Sequence, residues 1–190
     1  DSSSSRGLGD VYKRQVASFA YDDCLGHPAW FAPPEWLGAA EDTYPLHLLS
    51  NQPRTKLHSQ LDQGPVAAAA KIKGREEVQM HKDDAAARGI EEGDIIRLFN
   101  ARGAIYVGVR ITDQIRHGVV MVPTGAWLDL DKDDPELCKH GNPNMLAPDR
   151  PTSKLAQGPA AHSCLVQAEA VDQTRLPEVT AFIPPVIEKG

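Results

Sequence analysis

The sequence predicts a mainly β domain: a closed barrel of about six short strands, with one or two short helices and long polar loops. Three observations carry this. Short apolar runs recur from Tyr44 onward, each cut by Gly, Pro, Asn or Asp. One stretch, "HKDDAAARG", reads as a helix, and a second, "PVAAAAKIKG", is open between helix and loop. The remaining connections are long and rich in Asn, Ser, Gln and Pro, the texture of irregular barrel loops.

The elements follow in order. "HPAWFAPPEW" cannot run as a helix through its prolines, so it reads as an extended segment that lays Trp30 and Trp36 on another surface. Leu46 to Leu49 reads as a buried strand, with His47 as a satisfied core histidine. Glu76 to His81 reads as a short strand. In the next stretch the front acids, middle alanines and the closing Arg88 and Gly89 suit a helix dipole and a glycine cap. Ile95 to Asn100 and Ala104 to Ile111 read as a hairpin joined by "ARG", with Gly103 where a positive φ is needed. "HGVVMVP" gives a strand ending at Pro123, and His162 to Val171 gives the last one. The tail "FIPPVIEKG" is interrupted by proline and is expected to fray.

This divides the chain into a lead (1–15), an extended Pro/aromatic linker (16–43), a barrel (44–171) and a C-terminal tail (172–190). The lead "DSSSSRGLGDVYKRQ" has no periodicity and no apolar signal region. It reads as foreign, such as translated adapter sequence, or as a disordered natural tail, and is expected to add nothing to the fold. The whole reads as a piece of something longer.

Composition narrows the function. The 190 residues are 41% hydrophobic and 24% charged, ordinary for a globular chain, and the net charge of −6 offers no footprint for nucleic acid. No apolar run is long enough for a membrane-spanning helix. Cys24, Cys138 and Cys164 are widely spaced, which argues against a disulfide framework, a zinc site or an iron–sulfur cluster in this segment. HExxH, GxSxG, P-loop and GxGxxG motifs are absent. His27, His81 and His117 read as solvated, and the acids of "GREEVQMHKDD" as helix-terminal or solvent-facing.

Four polar stretches flank the strands: Ser50–Gln60, Pro123–Asp129, Lys139–Asp149 and Thr152–Ser163. Together they could form one rim. Gly125, Gly141 and Gly158 would let backbone N–H groups approach a ligand. Asn, Gln, Ser and His supply donors and acceptors for a purine edge and for phosphate. Taken singly, each loop is as well explained by ordinary turn chemistry.

The ordered motifs "YPLHLLSNQP…LHSQL", "HKDDAAARGIEEGDIIRLFNARG", "VMVPTGAWLD", "HGNPN" and "TSKLAQGPAAHSCLVQ" go further. From Tyr44 to Ala170 the chain resembles the C-terminal molybdopterin-dinucleotide-binding domain of the dimethyl sulfoxide reductase family. Within it the likeness leans toward biotin sulfoxide and trimethylamine N-oxide reductases, the former through "HPAW" and "HGNPN". The resemblance implies a double-psi β-barrel. It also implies a larger parent enzyme whose remaining domains hold molybdenum between two molybdopterin guanine dinucleotides. Such an enzyme reduces S-oxides or N-oxides by oxygen-atom transfer, and this piece alone is expected to be inactive. By resemblance the cofactor contacts fall on Ser50, Asn51, Gln52, Pro53, Lys56, His58, Ser59, Asn144, Ala161 and His162, with no metal ligand and no catalytic residue here. Arg54 and Lys56 would suit an anion. Lys56 replaces a common arginine, keeping charge but losing its planar fork. Leu128 replaces a common tyrosine. A non-catalytic double-psi barrel used in assembly is the competing reading, since fold alone does not decide. An aspartic protease lacks its Asp-Thr/Ser-Gly triplet here.

Overall fold

A computed structural model describes residues 14–25, 27–39 and 42–183; most of the lead and the last seven residues of the tail lie outside them. Seven strands form: β1 (Leu46–Leu49), β2 (Glu77–His81), β3 (Ile95–Asn100), β4 (Gly103–Thr112), β5 (Val119–Met121), β6 (Leu137–Cys138) and β7 (Leu165–Ala170). Within the barrel region the described residues include two short α-helices, α1 (Pro65–Ala70) and α2 (Lys82–Ala86). The sheet order is β2-β5-β1-β7-β3-β4, and a further β2–β4 pairing closes the ring. Two pairs, β1–β5 and β2–β4, are parallel while the other pairs of the ring are antiparallel. The fold is a double-psi β-barrel.

Strand alternation fills the interior. Leu46 and Leu48 of β1, Ile96 and Leu98 of β3, and Ile105, Val107 and Val109 of β4 point inward with Val78, Met80, Val120 and Val166. His47 lies on the other face of β1, half-buried, and its Nε2 donates to the His162 carbonyl at 2.6 Å. It is satisfied, but it is not a core side chain.

Pairing register orients the connections. β1 runs toward Ser50, and β5, parallel to it, runs toward Pro123 at the same end. β7 is antiparallel to β1, so the segment before Leu165 arrives there too. β3 is antiparallel to β7, so the β3–β4 turn and the start of β4 share that end, where β6 pairs with Ala104 and Ile105. Three polar stretches therefore gather at one end of the barrel, and the fourth, Lys139–Asp149, joins them where the Leu146 carbonyl accepts from Asn100 and Arg102. The opposite end carries α2 and the segment before β5.

Several expectations change. The hairpin turn does not use a positive φ at Gly103. Glycine is required there because a Cβ would sit 2.9 Å from the Glu136 carbonyl oxygen. β7 begins at Leu165, which leaves His162 in the turn before it. "PVAAAAKIKG" resolves into α1, entered through a proline at its first turn. The tail is docked through Phe182. Gln173 bonds both polar backbone atoms of Ile95, and Thr180 bonds Asp129 through its N–H (2.6 Å) and hydroxyl (2.7 Å). Phe182 then stacks edge-on against Trp127 and His140.

Candidate functional site

The polar end is built around the loop after β1. Ser50 continues β1, and its N–H points at His162 Nδ1 across a long 3.4 Å contact. That leaves the proton of a neutral His162 on Nε2, facing outward. Asn51 is fixed from the other side, because its carbonyl accepts the Thr124 N–H at 2.9 Å. Residues separated by more than a hundred positions thus meet at the first turn of this loop.

Further along, the chain doubles back. Leu57 and Gln60 exchange backbone hydrogen bonds of 3.3 and 2.9 Å, which puts His58 and Ser59 at the tip of a tight turn. His58 has φ 51 and Leu61 φ 65, a left-handed conformation rare for residues with a side chain. The tip rests on Gly125: a Cβ there would lie 1.8 Å from the His58 carbonyl oxygen. Trp127 secures it, with Nε1 donating to the Ser59 carbonyl at 2.8 Å. Gly125 and Gly141 thus admit neighbouring parts of this same chain, while a Cβ on Gly158 would meet only ordinary contact.

Lys56 does not face outward. Its ammonium is buried between Asp62, at 2.8 Å, and Glu76. Lys71 bridges the same two carboxylates at 2.8 and 3.1 Å. Two cations and two anions make a neutral buried knot, so the Lys56 charge cannot serve an external anion. Burial works against the charge on Asp62, but Lys56, Lys71 and the Trp127 N–H hold its carboxyl below the usual carboxylate range. Of the acids expected to be helix-terminal or solvent-facing, Asp84 does sit in the first turn of α2 but is buried, and Glu76 is buried as well. Asp84 accepts the Gly118 N–H, and His81, expected to be solvated, is half-buried and caps α2. His27 and His117 are exposed, as expected.

Arg54, by contrast, is exposed and lacks a hydrogen-bond or ion-pair partner among the described residues. It lines a cavity of about 510 Å³ of mixed polar and apolar character, together with Asn51, Pro53, Thr55, Gln79, Met121 and the acids Glu76 and Glu77. Gln52 is exposed and its side chain donates to the Lys56 carbonyl at 3.0 Å. Asn144 is exposed on a single helical turn capped by Asn142. That turn is anchored where the Leu146 carbonyl accepts from Asn100 and Arg102. Ala161 is half-buried beside His162. The structure thus brings Ser50, Asn51 and His162 together and displays His58 and Ser59 nearby. Asn144 is on the same end, on a separate support.

The linker is fastened to this end. Glu35 takes Arg102 in a fork of 2.7 and 2.9 Å and accepts the Leu165 N–H at 3.0 Å. Burial opposes its charge, and the Arg102 bonds win, holding its carboxyl below the ordinary range. Beneath it Cys164 is fully buried, and burial pushes its thiol up to about 11, which makes it inert. Trp30 remains 74% exposed, while Trp36 is half-buried and packs edge-on against it at 5.9 Å.

Asp62, Trp127 and His140 were not singled out from sequence. Asp62 carried a signal, as the first acid after nineteen residues without one. His140 is fully buried beside Trp127, and its Nε2 has no partner.

The barrel is closed, with one polar end built from loops. Residues 46–165 match the family described as the molydopterin dinucleotide binding domain, and the chain belongs to that family. It is 47% identical over 165 residues to the biotin sulfoxide reductase of Cereibacter sphaeroides, covering 86% of this chain and 22% of that protein. It is 43% identical over 185 residues to the trimethylamine-N-oxide reductase of Salmonella typhimurium, covering 95% of this chain and 22% of that one. Over 181 residues it is 39% identical to the dimethyl sulfoxide/trimethylamine N-oxide reductase of Rhodobacter capsulatus, again 22% of the relative's length and 94% of this chain. Among solved structures, acetylene hydratase from Pelobacter acetylenicus matches the fold with a TM-score of 0.67 at 16% identity, over 85% of this chain and 23% of that one. The chain spans about a fifth of the length of the curated relatives it matches.

The site fits a dinucleotide. Asn51 Oδ1 is a buried acceptor without a hydrogen-bond partner among the described residues, Arg54 is an exposed cation at the mouth of the cavity, and the Ser59 and His58 side chains stand exposed at a fixed tip.

Proposed function

We propose that this domain grips a molybdopterin guanine dinucleotide at its polar end, within a molybdenum oxidoreductase that reduces S-oxides or N-oxides. The observation that carries the reading is the convergence of all four polar stretches on one end, with Ser50 set against His162. Ser50, Asn51, Gln52, Pro53, His58, Ser59, Asn144, Ala161 and His162 form the contact surface. Lys56 takes part through its backbone and the shape it gives the loop, and Arg54 supplies the positive charge. His162 Nε2–H and the Ser59 hydroxyl donate to phosphate or ribose oxygens, and Asn144 pairs with a base or ribose. When bound, the cofactor supplies the oxygen-atom transfer chemistry.

The parent's remaining domains are the partner of the linker face. Trp30 and Phe31 are large, exposed and adjacent, the character of a covered surface.

In the full-length protein, Ser59→Ala with His162→Ala should lower cofactor retention by removing two hydrogen bonds to a charged group, on the order of 1.5–3 kcal/mol each. Molybdenum and guanine content per protein measure it. Unchanged content would remove the assignment.

A further inference from the structure

We propose that Asp62 is the positioning residue of the first loop, setting the His58–Ser59 tip in the shape that meets the dinucleotide. The inference rests on the reading of the polar end given above. It starts from strain. His58 and Leu61 hold left-handed backbone at φ 51 and 65, which surrounding structure must impose. Asp62 touches both sides of that turn. Its carboxylate, 0% exposed, accepts from Lys56 Nζ at 2.8 Å, just before the tip. It also accepts from the Trp127 N–H at 3.0 Å, and the Trp127 indole in turn holds the Ser59 carbonyl at 2.8 Å. Lys71, at 2.8 Å, ties the same group to the end of α1. One buried carboxylate therefore clamps the loop before the tip and across it.

The tip's side chains are left out of this clamp. Among the described residues, those of His58 and Ser59 are exposed and make no hydrogen bond. A backbone held rigidly with its donors turned outward is prepaid in conformational entropy, which is what a tight ligand contact requires. Asp62→Asn keeps the side chain's shape but leaves Lys56 and Lys71 sharing Glu76 alone. A buried cation without its partner leaves for solvent, and the tip relaxes with it.

The test uses the full-length protein purified with its dinucleotide, as Asp62→Asn and, separately, Trp127→Phe. Amide hydrogen exchange is read at residues 57–61 and, as reference, in β3 and β4. Dissociation of the dinucleotide is read by chromatography of released nucleotide. Asp62→Asn should speed exchange at the tip about tenfold with β3 and β4 unchanged, and speed nucleotide release several-fold. Trp127→Phe removes the bond to Ser59 and trims the ring that packs on Phe182 while leaving Asp62 and both lysines in place, and should show the same pattern at about threefold. Should Asp62→Asn fail to fold, Trp127→Phe decides alone. Unchanged exchange at the tip overturns the proposal, as does equal acceleration in β3 and β4. A loosened tip with unchanged release also overturns it. The Ser59→Ala/His162→Ala variant then separates the two failures: if that variant loses the dinucleotide, the polar end stands and only the role of Asp62 falls.

Discussion

His140 shows how one side chain can govern acid stability. It is fully buried, its Nδ1 donates to the Trp127 carbonyl at 2.9 Å, and the Phe182 ring closes over it. Burial, then the nearby Lys71 charge, holds its imidazole below the ordinary 6.5. The folded state therefore favours the neutral form. This contribution is fully present above pH 6.5 and is lost as pH falls through the folded value. Asp62, Asp129 and Glu35 are also held low, so their contributions fade only at more acid pH, below their ordinary values of 3.8, 3.8 and 4.5. Thermal midpoints should be flat above about pH 7 and decline from there on acidification. In His140→Gln the first part of the decline, setting in below pH 6.5, should vanish while the steeper acid loss remains. Calorimetry at a series of pH values checks both parts. At this scale the sequence misjudged charge: Lys56 and Glu76 look like solvent groups because nothing in spacing reveals that residues 56, 62, 71 and 76 converge.

Elements defined by local contacts were readable in advance. The β3–β4 hairpin has strong alternation and a short connection, and α2 has acids at its front and alanines within. β6 escaped notice because two residues carry no period. The tail escaped because its docking depends on Asp129, Trp127 and His140, none adjacent in sequence. The element most exposed to a single change is the support under the tip. Gly125 has φ +95, and any Cβ would collide with the His58 carbonyl oxygen. Gly125→Ala should cost on the order of 1–3 kcal/mol for the clash, with a further ~1–2 kcal/mol for the backbone conformation. Chemical denaturation measures the loss, and Gly158→Ala, where a Cβ meets nothing closer than 3.6 Å, is the control expected near zero.

For the molecule as a whole, the pairing pattern is what converts scattered loops into a site. Strand directions send three of the chain's four polar stretches to one end, the Asn100 and Arg102 bonds to the Leu146 carbonyl hold the fourth there, and α2, His81 and His117 are left at the other end. The motifs pointed to loops that the fold gathers at one end. They could not foretell that Lys56 would be neutralised internally and Arg54 left free, because that follows from side-chain packing. The exposed linker aromatics and the exposed Leu57, Leu61 and Leu128 around the polar end give the barrel an asymmetric surface suited to enclosure by a larger protein.

The most direct test is the structure of the full-length protein with its dinucleotide bound. The account predicts that the dinucleotide crosses the polar end, with Ser59 Oγ and His162 Nε2 each about 3 Å from one of its oxygens. It further predicts that Lys56 remains between Asp62 and Glu76. A dinucleotide lying against α2 and His117, or along the barrel flank with Ser59 and His162 in solvent, would contradict it.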